Sequence, residues 1–183
     1  MANFLLIAAV VIVGYAVATY NRLVTGRVKV DEGWSGIAVQ LKRRHDLIPN
    51  LVSTVKGYAS HEKDVFTQVT EARNKSTSVT GVAQTAQAEA AVTAGLSRLL
   101  AIAENYPELK ANTNFLQLQT DLSGIEDSLQ SARRYYNGTV RDYQIVQQSF
   151  PSNIVANYFN FEKREYFELD DVQKESAVPN VQF

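Results

Sequence analysis

Cysteine is missing from all 183 residues, and with it go disulfides, thiolate metal sites and every cysteine nucleophile. Histidine is scarce: His45 and His61 are the two in the chain. A zinc-ligating pair on one helix face needs a spacing of three or four, and His61 has no second histidine within reach, so His61-Glu62 with Asp64 reads as a solvated helix face. The sequence contains no G-x-S-x-G, no G-x-x-x-x-G-K-[ST], no G-x-G-x-x-G and no H-E-x-x-H, which removes the common hydrolase, nucleotide and zinc-protease signatures. Neither sign of charge is in excess: 18 basic residues face 19 acidic ones, a net charge of −1. The run Lys42-Arg43-Arg44 is too short to hold nucleic acid, so no nucleic-acid partner is expected. From this inventory we expect no catalytic, cofactor-binding or metal-ligating residue, and a protein that is not an enzyme.

Proline and glycine are also few, at four and nine. Pro49, Pro107, Pro151 and Pro179 are spaced like punctuation between long helices. Sustained period-2 alternation occurs nowhere, so no sheet is expected.

What is present begins at Phe4. From there to Tyr20 the chain reads FLLIAAVVIVGYAVATY, which as a helix is about 25 Å long and just spans a bilayer core. Residues 4–20 are therefore expected to sit in the lipid bilayer, with Tyr15 and Tyr20 at the interface and Arg22 marking the start of water. Ala16-Val17-Ala18 has the small-x-small look of a signal-peptidase site. No basic residue precedes the apolar run, however, which favours a retained single-pass anchor, residues 1–21, in a cell membrane. Arg22, Arg27 and Lys29 follow the segment, and by the positive-inside rule that bias favours a cytoplasmic location for what comes next.

Beyond the anchor, residues 22–160 carry helical periodicity. Trp34, Ile37, Leu41, Ile48, Leu51, Val55, Tyr58, Val65, Val69 and Ala72 mark an amphipathic helix from Val28 to Ala72, or two in line. Pro49 cannot donate to the carbonyl of His45, so the helix either kinks there or restarts with Asp46 as its cap, and His45-Asp46 reads as a helix-kink cap. A kink is preferred, because the stripe keeps its phase across the proline. Asn74 to Gly81 loses the period and reads as a connection. An alanine-rich helix follows from Val82 to Asn105, with the stripe Val92, Leu96, Leu99, Ala103, and Tyr106-Pro107 ends it. The third helix carries Phe115, Leu118, Leu122, Ile125, Leu129, Ala132, Tyr136, Val140, Tyr143, Val146 and Phe150 at 3-4 spacing. Gly138 in its interior suggests a close contact. Ser152 is placed to cap a short helix through Tyr158, and residues 161–183 form an irregular tail that Phe161, Tyr166, Phe167 and Phe183 could pin. The fold class is thus all-α: a transmembrane helix followed by an antiparallel, coiled-coil-like bundle of three to four long helices.

Charges inside the stripes carry further information. Arg44 and Glu62 fall at core positions of the first helix, and Glu126 and Arg133 flank the stripe of the third, which suggests interhelical Arg-Glu bridges that fix register. The sequons at Asn74 and Asn137 read as chance matches.

Several strings then resemble the bacterial LemA family: Tyr20-Asn21-Arg22-Leu23-Val24, Trp34-Ser35, Gln40 through Val52 (QLKRRHDLIPNLV), Val55-Lys56-Gly57-Tyr58-Ala59 with His61-Glu62, Ala72-Arg73, Tyr106 through Asn112 (YPELKAN), Ala132 through Asn137 (ARRYYN) and Phe150-Pro151. The resemblance runs over essentially the whole chain. It implies an anchored bundle of long helices and no established reaction. Some members resemble lipoproteins, but this chain lacks the lipobox cysteine. The family's association with magnetosome membranes and membrane-protein quality control implies a part in organising membranes. The expected function is a membrane-anchored, non-enzymatic scaffold that self-associates as a homo-oligomer. The alternative is an adaptor or regulator of a membrane peptidase or envelope stress response, with another membrane protein as partner.

Overall fold

The computed structural model describes residues 1–168, and within them all regular secondary structure is helical. Helix α1 runs from Ala2 to Lys56, 55 residues without a break. It is followed by α2 (Lys63–Ser78), α3 (Val82–Ala103), the single turn α4 (Pro107–Lys110), α5 (Thr113–Gln148) and α6 (Ser152–Tyr158). The apolar N-terminal run and the first amphipathic stretch are therefore one helix, and the anticipated helix from Val28 to Ala72 is two elements. The break falls at residues 57–62, where Gly57 and Ala59 close the C-terminal turn by donating to the carbonyls of Ser53 and Val55. Phase alone hides this break, because Ala59 and Phe66 on either side are both buried.

Contacts divide the described chain into two compact units. The first comprises Met1–Ile37 of α1 with Ser131–Tyr166. On α1 its large buried apolar residues are Leu23, Val30 and Ile37, seven apart, with Gly26 and Gly33 between them. Tyr136 and Tyr143 of α5, also seven apart, lie over these glycines: a Cβ at Gly33 would stand 3.1 Å from the Tyr136 Cα, and one at Gly26 3.1 Å from the Tyr143 ring. Missing side chains on one helix thus make room for large ones on the other. Gly138, by contrast, faces open space, so the close contact expected there lies instead at Gly26 and Gly33.

After α6 the chain turns back along α5 as an extended strap. Tyr143 Oη donates to the carbonyl of Glu162 at 2.9 Å, Gln144 Nε2 to that of Arg164 at 2.6 Å and Tyr136 Oη to that of Glu165 at 2.8 Å. Burial, above all, raises both tyrosine pKa values, which keeps the phenols as donors. Phe161 sits against Tyr20, ring centroids 5.6 Å apart, which ties the strap to α1, and Phe167, which belongs to the second unit, is buried. Tyr166 remains partly exposed, and Phe183 lies outside the described residues.

The second unit comprises Ala38–Gln130 with the described residues after Tyr166. Its core joins Ile48, Leu51 and Val55 of α1, Phe66 and Val69 of α2, Val92, Leu96 and Leu99 of α3, Leu109 of α4, and Phe115 and Leu122 of α5. Helices α2 and α3 approach closely at Gly95, where a Cβ would stand 3.1 Å from Val69. The polar stretch expected to be a connection is helical as far as Ser78, and the reversal is confined to Val79–Gly81, where Gly81 adopts φ +97°, a torsion that suits glycine.

Candidate functional site

The second unit buries a cluster of charged and hydroxyl groups against its apolar core. Arg44 and His45, adjacent on α1, point to Glu89 of α3, and Arg44 and Glu89 are almost fully buried, at 2% and 1% exposure. Arg44 has an oxygen beside each of its guanidinium nitrogens. Nη1 donates to Glu89 Oε2 at 2.9 Å, Nη2 to Thr93 Oγ1 at 2.8 Å, and Nε pairs with Glu126 Oε1 on α5 at 2.8 Å. Glu89 is equally engaged, since its Oε1 accepts from His45 Nε2 at 2.7 Å and from the Ser76 hydroxyl of α2. Four helices thus meet at one carboxylate and one guanidinium.

The chemistry of this arrangement follows from its saturation. Burial alone would raise the Glu89 pKa, but the hydrogen bonds from His45 and Ser76 and the charge of Arg44 outweigh it and hold the carboxyl below its ordinary range. Glu89 is therefore an anion acting as an acceptor, and His45 presents its Nε2–H to it. Such a group fixes helix register, because its members come from four helices and separating Arg44 from Glu89 strips a buried charge of its partner.

Pro49 completes the picture. Lacking an N–H, it leaves the His45 carbonyl without its intrahelical donor. That carbonyl instead accepts from Arg73 Nε of α2 at 3.3 Å. The proline does not end α1, and it opens an acceptor that α2 occupies. The capping role expected of His45-Asp46 is overturned: His45 is turned inward to Glu89, and Asp46 pairs with Lys42 one turn back at 2.8 Å.

Of the four charges singled out from the stripes, Arg44 and Glu126 are brought together directly. Arg133 is half-buried on α5 in the first unit. Glu62 is not a core residue, because the turn before α2 resets the phase and leaves it at the N-terminal boundary of that helix. Periodicity did not single out Glu89, yet a signal existed: it stands three residues before Val92, in phase with the buried stripe of a helix otherwise poor in charge. His61 is exposed, and among the described residues no group of three or more histidine or acidic side chains could hold a metal ion.

Among the described residues the protein is all-helical, and its N-terminal helix is long and apolar enough to cross a bilayer. The chain belongs to the LemA family, whose model matches residues 33–183. It is similar to magnetosome protein MamQ 2 of Paramagnetospirillum magneticum, at 23% identity over 175 residues, covering 81% of this chain and 64% of that protein. MamQ of Magnetospirillum gryphiswaldense is 24% identical over 174 residues with the same coverage. Protein LemA of Metamycoplasma hominis is 24% identical over 156 residues, covering 84% of this chain and 71% of its own length. The chain thus spans under two thirds of the length of the magnetosome relatives.

Proposed function

We propose that this protein is a single-pass, membrane-anchored, non-enzymatic scaffold whose helices form an antiparallel bundle and whose copies associate to organise a membrane patch or complex. The observation that carries this reading is the continuity of α1. Its exposed apolar run passes without a break into residues that share a folded core, so the folded part is tied to the bilayer by a stiff element. The saturated Arg44–Glu89 cluster supports a structural use of the buried charges. Large apolar side chains also stand exposed on α1 and α5, among them Val28, Tyr135 and Ile145 of the first unit, and these offer surface for contact between copies. Tethering in one membrane raises the effective concentration of such contacts.

The test is the native mass of the full chain after gentle detergent extraction and again in lipid nanodiscs, at micromolar concentration. An oligomer of identical chains is expected. A monomer under both conditions would overturn self-association, and a peptidase retained in its place would favour the adaptor role.

A further inference from the structure

The stripe of α5 was expected to end on a buried Phe150, but that residue is 81% exposed. Ile154, Tyr158 and Phe159 close by are also exposed, at 61%, 78% and 50%. Ile154 and Tyr158 lie one turn apart on the outer face of α6, while its inner face, Ser152, Val155 and Ala156, is buried. Water gains nothing from this arrangement. A short helix is held firmly against the unit with its large side chains turned outward.

Its placement says what covers them. The Phe159 ring packs edge-on to Tyr20 at 4.8 Å, and a groove lined by Tyr15 and Thr19 of α1 is closed on its far side by Ser149 and Ser152. The tip of α5 and α6 therefore lies beside the last turns of the apolar run, reaching about 7 Å past Tyr20 toward the span. Charge stops at the same level on both helices. On α1 no charged side chain precedes Arg22, and from Tyr143 to Phe161 none occurs at all. Arg22 and Asp142, the boundary charges of the two helices, line one groove. Above this boundary the uncharged segment holds Phe, Tyr and Ile with Asn153, Asn157 and Asn160, a mixture of aromatic and neutral hydrogen-bonding groups suited to the headgroup region. Below it, the Arg27 guanidinium stands 5.7 Å from the Phe161 ring, on the watery side.

We infer that residues 149–160 form a second membrane contact, a foot that inserts Phe150, Ile154, Tyr158 and Phe159 into the interface of the bilayer that holds α1. The anchor is then gripped at two points, which fixes rotation of the first unit about α1 as well as its depth. The inference rests on the membrane-anchored reading and is independent of self-association.

The experiment uses the full chain in phosphatidylcholine–phosphatidylglycerol vesicles. In a Trp34→Phe background, Tyr158→Trp, and separately Phe150→Trp, places a single indole on the foot, and Val10→Trp places one in the span. Quenching is measured with lipids brominated near the headgroup or near the acyl terminus. The foot indoles are expected to emit at shorter wavelength than free tryptophan and to be quenched, more by the shallow bromines than the deep ones, with the reverse order at position 10. Unquenched foot indoles beside a quenched position 10 would overturn the foot and leave the anchor standing. Loss of quenching at all three sites would overturn both. Emission at the foot that changes only with protein density in the vesicles, without lipid quenching, would assign these side chains to a second copy and also overturn the inference.

Discussion

At the scale of single residues, Glu89 is where the second unit is most vulnerable. Removing one partner of a buried ion pair leaves the other charge desolvated, and Arg44→Met is expected to destabilise the protein by about 3 to 5 kcal/mol in denaturant titration. Replacing both, Arg44→Met with Glu89→Leu, should cost clearly less than the sum of the single changes, because no unpaired charge is left at the centre. Acid provides a second measurement. Glu89 titrates lower in the folded chain than its ordinary value near 4.5. Its contribution is therefore complete above that value and is lost as pH falls through the lower folded one. Thermal stability of the full chain should fall in this acid window, and Glu89→Gln should be less stable at neutral pH but show a shallower acid decline. An unaltered acid slope in the variant would place the titration elsewhere.

At the scale of elements, two close approaches make opposite predictions for the same substitution. Gly33→Ala pushes a methyl against the Tyr136 backbone, which neither long helix can yield cheaply, so a net loss of about 1 to 2 kcal/mol is expected after the gain in helix propensity. Gly138→Ala meets nothing within 4 Å and should stabilise α5 by roughly 0.5 to 1 kcal/mol. Equal effects at both sites would contradict the packing of Tyr136 over Gly33. Pro49 is tested through its partner. Arg73→Met should cost about 1 kcal/mol by orphaning the His45 carbonyl, and less in a Pro49→Ala background, where the new N–H can take that acceptor. Independent effects in the double-mutant cycle would break the link between proline and arginine. Much of this was legible in the sequence. The stripes located α3 and α5, and Pro151 marked the start of α6, but Ser152, expected to cap that helix, is its first residue and donates its hydroxyl back to the carbonyls of Val146 and Ser149. What could not be read was the consequence of an absent group: Pro49 looked like an interruption because its role depends on Arg73, which is distant in sequence. Gly26 and Gly33 carry no side chain to register in a hydrophobic pattern, although they shape the helix contact. Glu89 was overlooked because a charge in phase with a stripe becomes informative once its partners on α1 and α2 are known.

At the scale of the whole molecule, the anchored reading makes a prediction about which face of the membrane the folded part occupies. Arg22, Arg27 and Lys29 favour the cytoplasmic side. Lys75 is exposed on α2, and Lys75→Cys would introduce a unique thiol into a chain that has none. It should resist a membrane-impermeant maleimide in intact cells and react after permeabilisation, and labelling of intact cells would reverse the assignment. The strap along α5 has a different consequence. Tyr136, Tyr143 and Gln144 hold it by backbone carbonyls, which every amino acid supplies, so the grip is blind to the identity of what it holds. Residues 162, 163 and 165 are thus free to drift in sequence, and to change the charge they display, without letting go of the helix beneath them, whereas Arg164 also pairs its side chain with Asp31 at 3.2 Å.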